Sequence, residues 1–318
     1  MNEPTQYIHA ALLPFLGVLR IQGEDAAKFL QGQVTHDTRL LADGRTLLTA
    51  CNTPQGRVIA LMRLRQTEDA IYALLPADLV DRVAGHFRRF VLRAKVTVQV
   101  AADLQVAWVG GQPFSETLAP DGYDATRTMS AIPEAGSAQL VSVDYSADRQ
   151  VVAAPGAALR AMTGLSLSKS LPGIEDEWWT ADIAAGLPQV FRPTSESFVP
   201  QMLNLDLLDG ISFDKGCYTG QEIVARTQHL GRIKRRTFRY RLADGPAPAT
   251  LDGLYRDGTK VAEVLVAASR HGAAEFLAVT NLDACDEPLT TGDGRPAHRL
   301  ALPYAVDGPA SGRAPAAP

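Results

Sequence analysis

The side chains most able to do chemistry gather between residues 214 and 226, where Lys215-Gly216-Cys217-Tyr218-Thr219-Gly220-Gln221-Glu222 is followed by Arg226. A cysteine beside a lysine, with glycines on both sides and a helical pattern ahead, has the composition of a presented thiol. Gly216 and Gly220 permit backbone angles closed to other residues and close approach to the main chain. From Gln221 the pattern turns helical, and a first helical turn offers free N–H groups and partial positive charge. Helix start and ammonium both favour thiolate over thiol, whose ordinary titration lies near ~8.5. Glu222 suits the first turn and is spaced to pair with Arg226 at i+4. The same residues also describe a glycine-rich turn around a buried cysteine, since free cysteine is commonly buried.

Other constellations carry less. Eight basic or potentially basic residues lie between 226 and 241: Arg226, His229, Arg232, Lys234, Arg235, Arg236, Arg239 and Arg241. They read either as the solvated face of an antiparallel strand or as an anion site. Few aromatics interleave with them, which weakens a nucleic-acid reading. His36-Asp37 reads as a cap or surface pair. No HExxH, GxSxG, P-loop or GxGxxG occurs, so a zinc site is not expected. Three cysteines without a CxxC exclude a disulfide framework and a self-contained four-thiol cluster, and point to a reducing compartment. Cys51 and Cys285 read as structural.

The motif resembles the signature of the YgfZ family of folate-binding proteins, within the superfamily of the glycine-cleavage T-protein, an aminomethyltransferase. Lys215, Gly216, Cys217, Tyr218, Gly220, Gln221, Glu222 and Arg226 fill every fixed position of Lys-Gly-Cys-aromatic-x-Gly-Gln-Glu-x-x-x-Arg. Pro200-Gln201-Met202-Leu203-Asn204-Leu205-Asp206 before it and Gly231-Arg232-Ile233-Lys234-Arg235-Arg236 after it agree as well. So do Phe29-Leu30-Gln31-Gly32-Gln33-Val34-Thr35 and the Asn52…Gly56-Arg57 turn. The resemblance implies an α+β, T-protein-like fold with a C-terminal antiparallel β-barrel and a central folate-sized cavity. It implies tetrahydrofolate, or a one-carbon derivative, as ligand. It also implies a role in iron–sulfur cluster assembly or repair, with clients such as a radical-SAM tRNA methylthiotransferase and indirect effects on tRNA modification.

On this resemblance Cys217 and Lys215 are the candidate catalytic residues. Gly216, Tyr218, Gly220, Gln221, Glu222, Arg226, Gln201 and Asn204 are the candidate folate-binding residues. Gln201, Asn204 and Asp206 serve a pterin edge or cap a turn; both readings stay open. The basic stretch would then suit a folate glutamate tail or RNA phosphates. Two departures separate the chain from the aminomethyltransferase. Val58-Ile59-Ala60-Leu61 stands where the T-protein has an acidic pair, and Ala184-Ala185-Gly186 where it has a pterin-holding Glu-Ala-Gly. Alanine cannot stabilise a developing cation, so glycine-cleavage activity is expected to be absent. Two other functions remain open: a folate-dependent one-carbon transferase with Cys217 as nucleophile, and a non-catalytic adaptor for iron–sulfur proteins or tRNA that docks through the 232–236 basic patch.

Positioning this loop falls to a mixed set of elements. Strands are expected over 17–21, 46–51, 58–64, 71–75, 96–100, 104–109, 235–242, 261–267 and 276–279, with turn residues at 52–56. Helices are expected over 24–30, 77–90, 157–163 (closed by Gly164) and 176–185. In the second, Leu79, Val83, Phe87 and Phe90 share a face; in the last, Trp178, Trp179 and Ile183 do. Strands and helices mix without regular alternation, which argues α+β. At 318 residues the chain accommodates several domains. We expect an α+β domain over 1–110, a second over 111–232 carrying the motif and a loop-rich stretch at 113–137, a barrel over 233–306 and a disordered tail over 307–318. A net charge of −4 argues against a general polyanion binder. No run reaches the ~18 apolar residues of a membrane span, and the N-terminus has neither a basic n-region nor an arginine-rich presequence. A cytoplasmic protein is expected.

Overall fold

The computed structural model describes residues 9–110, 141–146, 149–163, 173–229, 233–270 and 272–306. The loop-rich stretch at 113–137, Gly164, Arg232 and the tail from 307 lie outside them. The chain divides into two compact units of interleaved stretches: Met1–Gln33, Asp37–Thr49 and Met62–Glu175 in the first, Val34–His36, Ala50–Leu61 and Asp176–Pro318 in the second.

In chain order the elements begin with β1 (His9–Leu12), β2 (Leu16–Gln22), α1 (Ala26–Gln31), β3 (Leu47–Asn52), β4 (Val58–Gln66) and β5 (Ile71–Pro76). They continue with α2 (Val80–Arg88), β6 (Thr97–Val100), β7 (Gln105–Gly110), β8 (Val141–Ser146), β9 (Arg149–Ala154) and α3 (Gly156–Thr163). A four-stranded sheet has the order β1-β7-β9-β8, and a five-stranded sheet the order β3-β4-β5-β2-β6. Seven consecutive residues at the start of β4 are buried, the pattern of a strand covered on both faces. Two expectations need correction. The 77–90 helix opens as a 3-10 turn at Ala77–Leu79 and stops at Arg88. Leu79, Val83 and Phe87 are buried as the periodicity requires, but Phe90 lies beyond the helix end and is 37% exposed.

The remaining elements are α4 (Ile174–Ala184), α5 (Gln221–His229), β10 (Arg235–Leu242), β11 (Gly253–Arg256), β12 (Thr259–Arg270), β13 (Ala273–Asn281), β14 (Leu289–Thr291) and β15 (Pro296–Leu300). The last six strands close a barrel, β10-β13-β12-β11-β14-β15, with β15 pairing back onto β10. Period-two alternation in β10 sends Phe238, Tyr240 and Leu242 inward, where they join Leu254, Val264 and Phe276. Each such side chain contributes about 1.5–3 kcal/mol of burial. Tyr240 stacks on Phe276 at 5.7 Å and shares a hydrogen bond with Thr280 at 3.0 Å. Asp257 and Gly258, both at positive φ, turn β11 into β12, as a type I′ hairpin requires. Trp178, Trp179 and Ile183 are buried on α4.

Candidate functional site: an exposed thiol on an anchored loop

The motif loop is held at both ends. At its start Lys215 is buried, and its Nζ donates to the carbonyls of Val34 and His36, each at 2.7 Å. Its ammonium also lies 5.0 Å from the Tyr218 ring centre. The receiving segment is itself fixed. Thr35 exchanges backbone bonds with Ala50 and Ser212, and its hydroxyl donates to Gly210 O at 2.6 Å. Sequence spacing alone puts the lysine charge beside the thiol; the structure places it on backbone carbonyls, where it anchors the loop. Tyr218 is buried, and burial raises its phenol well above the usual tyrosine range, so its hydroxyl stays neutral.

At the loop's end α5 begins. Tyr218 N–H donates to Gln221 Oε1 at 3.2 Å, and Gln221 N–H donates to Tyr218 O at 3.1 Å. Gln221 therefore braces the helix start. Gly220 has φ +83°, and a Cβ there would lie 2.5 Å from Thr53 O and 3.1 Å from Asn52 Cβ. Gly56 has φ +70°, and its Cβ would strike Ile223 Cβ at 2.7 Å. The 52–57 turn and the head of α5 interlock through these two glycines. Gly216 is different: it is exposed, lacks a positive φ, and its Cβ would meet nothing within 4 Å. Its expected backbone freedom is not used, and the missing side chain leaves the approach to Cys217 open.

Cys217 stands between these anchors, exposed, whereas Cys51 and Cys285 are buried. On the outer face of α5, Glu222 and Arg226 pair at 2.7 Å, both well exposed. Gln201 and Asn204 are fully buried. Gln201 Nε2 donates to Val224 O at 2.8 Å, and Asn204 Nδ2 to Thr237 O at 2.8 Å. Asp206 takes both Arg236 terminal nitrogens, at 2.7 and 2.8 Å. The pre-motif segment thus braces α5 and β10, and Asn204 is engaged by backbone. Two buried amides are less settled. Gln201 Oε1 and both amide atoms of Asn52 lack a hydrogen-bond partner. In sequence Asn52 reads only as the start of the 52–56 turn; its place at the buried end of β3 leaves no local mark.

Four residues of the basic stretch are paired with carboxylates. Arg235 pairs with Glu263 at 3.0 Å, Arg236 with Asp206, Arg239 with Glu275 at 2.5 Å and Arg226 with Glu222. Glu263 and Glu275 are supplied by the barrel strands β12 and β13, whereas Asp206 comes from the pre-motif segment and Glu222 from α5. Arg241 makes no ion pair with the described residues. It lines a cleft of about 360 Å³ with Thr180 and Ala184 of α4, Arg239, Ala268, Ala273 and Glu275. Thr180 Oγ1 is buried there without a partner. Ala184 is the residue expected to replace the T-protein's pterin-holding glutamate. Val58, Ile59, Ala60 and Leu61, expected in place of its acidic pair, are all buried. Among the described residues no three of His, Cys, Asp and Glu gather as metal ligands, and no helix is long and apolar enough to cross a membrane.

No protein-family model matches the chain. Curated relatives do. The tRNA-modifying protein YgfZ of Colwellia psychrerythraea is 32% identical over 223 residues, 70% of this chain and 68% of the relative. The chain belongs to the YgfZ family. YgfZ of Serratia proteamaculans is 30% identical over 226 residues, 69% of this chain and 66% of its own length. An uncharacterized protein of Haemophilus influenzae is 30% identical over 227 residues, 71% and 70% of the two chains. The match thus spans about two thirds of these relatives. Among solved structures, the glycine cleavage system aminomethyltransferase T of Bartonella henselae superposes with a TM-score of 0.68 at 13% identity, covering 94% of this chain and 86% of that one. This YgfZ-family chain therefore has the T-protein fold.

Proposed function

We propose that this protein is a folate-binding YgfZ-family protein that supports iron–sulfur cluster assembly or repair, and through it tRNA modification, with Cys217 as its reactive group. The observation that carries the reading is the complete motif with its cysteine exposed while the other two are buried. Lys215 and Gly220 fix the loop from either end, and Gly216 keeps its approach clear. The tRNA-modifying name of the Colwellia relative supports the tRNA-related part. The free cysteines suit a reducing, cytoplasmic setting.

The residues present fit a folate. The 360 Å³ cleft lies in the size range of small-molecule sites. Its three alanines, Ala184, Ala268 and Ala273, contribute only short apolar side chains to the lining. Thr180 offers a hydroxyl without a protein partner, Glu275 a carboxylate for an aminopyrimidine edge, and Arg241 a guanidinium for a glutamate carboxylate. Asn52, with donor and acceptor both unmet, is a second candidate for the pterin edge. Tetrahydrofolate, when bound, supplies a carrier for one-carbon units. The protein's own part is to orient it and to present the thiol. Titration of purified protein with tetrahydrofolate tests this. Saturable binding, weakened about tenfold by R241A (roughly 1.4 kcal/mol), is expected; absence of binding overturns the folate reading.

A further inference from the structure

Among the described residues three large apolar side chains are exposed, and two of them, Phe90 at 37% and Leu92 at 90%, share the turn between α2 and β6. The sequence there is Arg88-Arg89-Phe90-Val91-Leu92-Arg93-Ala94-Lys95. Arg88, Arg89 and Arg93 are exposed and make no ion pair with any described carboxylate. Arg88 Nε donates to Val98 O at 2.9 Å, and Arg89 Nη2 donates to His86 Nδ1 at 3.2 Å, so neither of these partners is a carboxylate. Lys95 alone is paired, with Glu24. The Phe90 ring rests against His86 at 5.1 Å, with part of its surface open. In a chain of net charge −4, this turn is a local reversal of sign whose cations are available. The basic stretch after the motif has the greater charge in sequence, but carboxylates pair with four of its residues, Arg226, Arg235, Arg236 and Arg239.

We propose that this turn is an RNA-docking surface, with Arg88, Arg89 and Arg93 on phosphates and Phe90 and Leu92 against unstacked bases. The inference goes beyond the reading above, which reaches tRNA only through iron–sulfur clusters, and adds a direct contact with RNA. Guanidinium forks match pairs of phosphate oxygens. A partly open ring and an aliphatic side chain among them suit single-stranded or looped RNA, whose bases are splayed and sequence-tolerant in stacking. An anionic bilayer fits less well, because one leucine and part of one phenylalanine bury little apolar area and stable anchoring takes two signals.

The test uses the full chain, a fluorescent unstructured RNA oligonucleotide and bulk tRNA, with affinity followed against salt. Wild type should bind both, with log affinity falling linearly against log salt. R89A/R93A should lower the magnitude of that slope by about 1.4, roughly 0.7 for each phosphate no longer neutralised. L92A should weaken binding about threefold and leave the slope unchanged. Polyglutamate should compete poorly, and vesicles of anionic phospholipid should not be bound. The proposal is overturned if wild type fails to bind RNA, if neither variant changes binding, or if polyglutamate or vesicles bind as well as RNA. Tetrahydrofolate binding by R89A/R93A should match wild type, so a failed docking surface is distinguishable from a failed folate reading.

Discussion

Methionine at position 215 would leave the carbonyls of Val34 and His36 without their buried donor. The expected loss is about 1–3 kcal/mol, read as a lower urea midpoint with unchanged slope. Thiol chemistry offers a second check at this scale. Native protein should show one rapidly alkylated cysteine, lost in C217A, and unfolded protein three, because Cys51 and Cys285 are buried. The motif residues were legible as a group from their spacing. Their individual roles were not. The direction of the Lys215 ammonium is set by carbonyls 181 and 179 residues away in sequence, and the unmet Asn52 amide is visible only once burial is known.

The interlock between the 52–57 turn and α5 predicts opposite outcomes for the two glycines that flank Cys217. G220A should destabilise by about 2 kcal/mol or more, since it combines left-handed strain with a backbone clash. G216A should be within about 0.5 kcal/mol of wild type, as an exposed change that meets nothing; calorimetric melting of both variants checks the contrast. The brace between the pre-motif segment and β10 predicts a larger effect. D206A leaves Arg236 buried without its carboxylate, at a cost of about 3–5 kcal/mol. At this scale β10 was readable because apolar and arginine positions alternate from Phe238 to Leu242. Strands β8 and β9 were not expected; a register shift between Asp144 and Ser146 interrupts their pairing. β1 was obscured by Pro14 and Gly17, which break the apolar run that contains it.

For the molecule as a whole, burial raises the phenols of Tyr218, Tyr240 (to about 12) and Tyr304. Below their ordinary pKa of 10.0 these groups are neutral whether the chain is folded or not. Above it the unfolded phenols ionise while the folded ones keep their protons. The unfolded state then binds fewer protons, so stability falls as pH rises from about 10. Urea midpoints should decline over that window, and Y218F should flatten the decline. The barrel and the α+β character were readable from strand alternation and turn residues. The interleaving of the two units was not, because local pattern does not record that residues 34–36 and 50–61 fold with the second unit.

The central claim is that the Cys217 sulfur does the protein's work, and a strain lacking its own YgfZ-family protein tests it most directly. Iron–sulfur enzyme activity would be compared between cells carrying wild type and C217A at equal protein level. We predict restoration by wild type and at least a tenfold deficit with C217A. Equal restoration by the two would contradict the account.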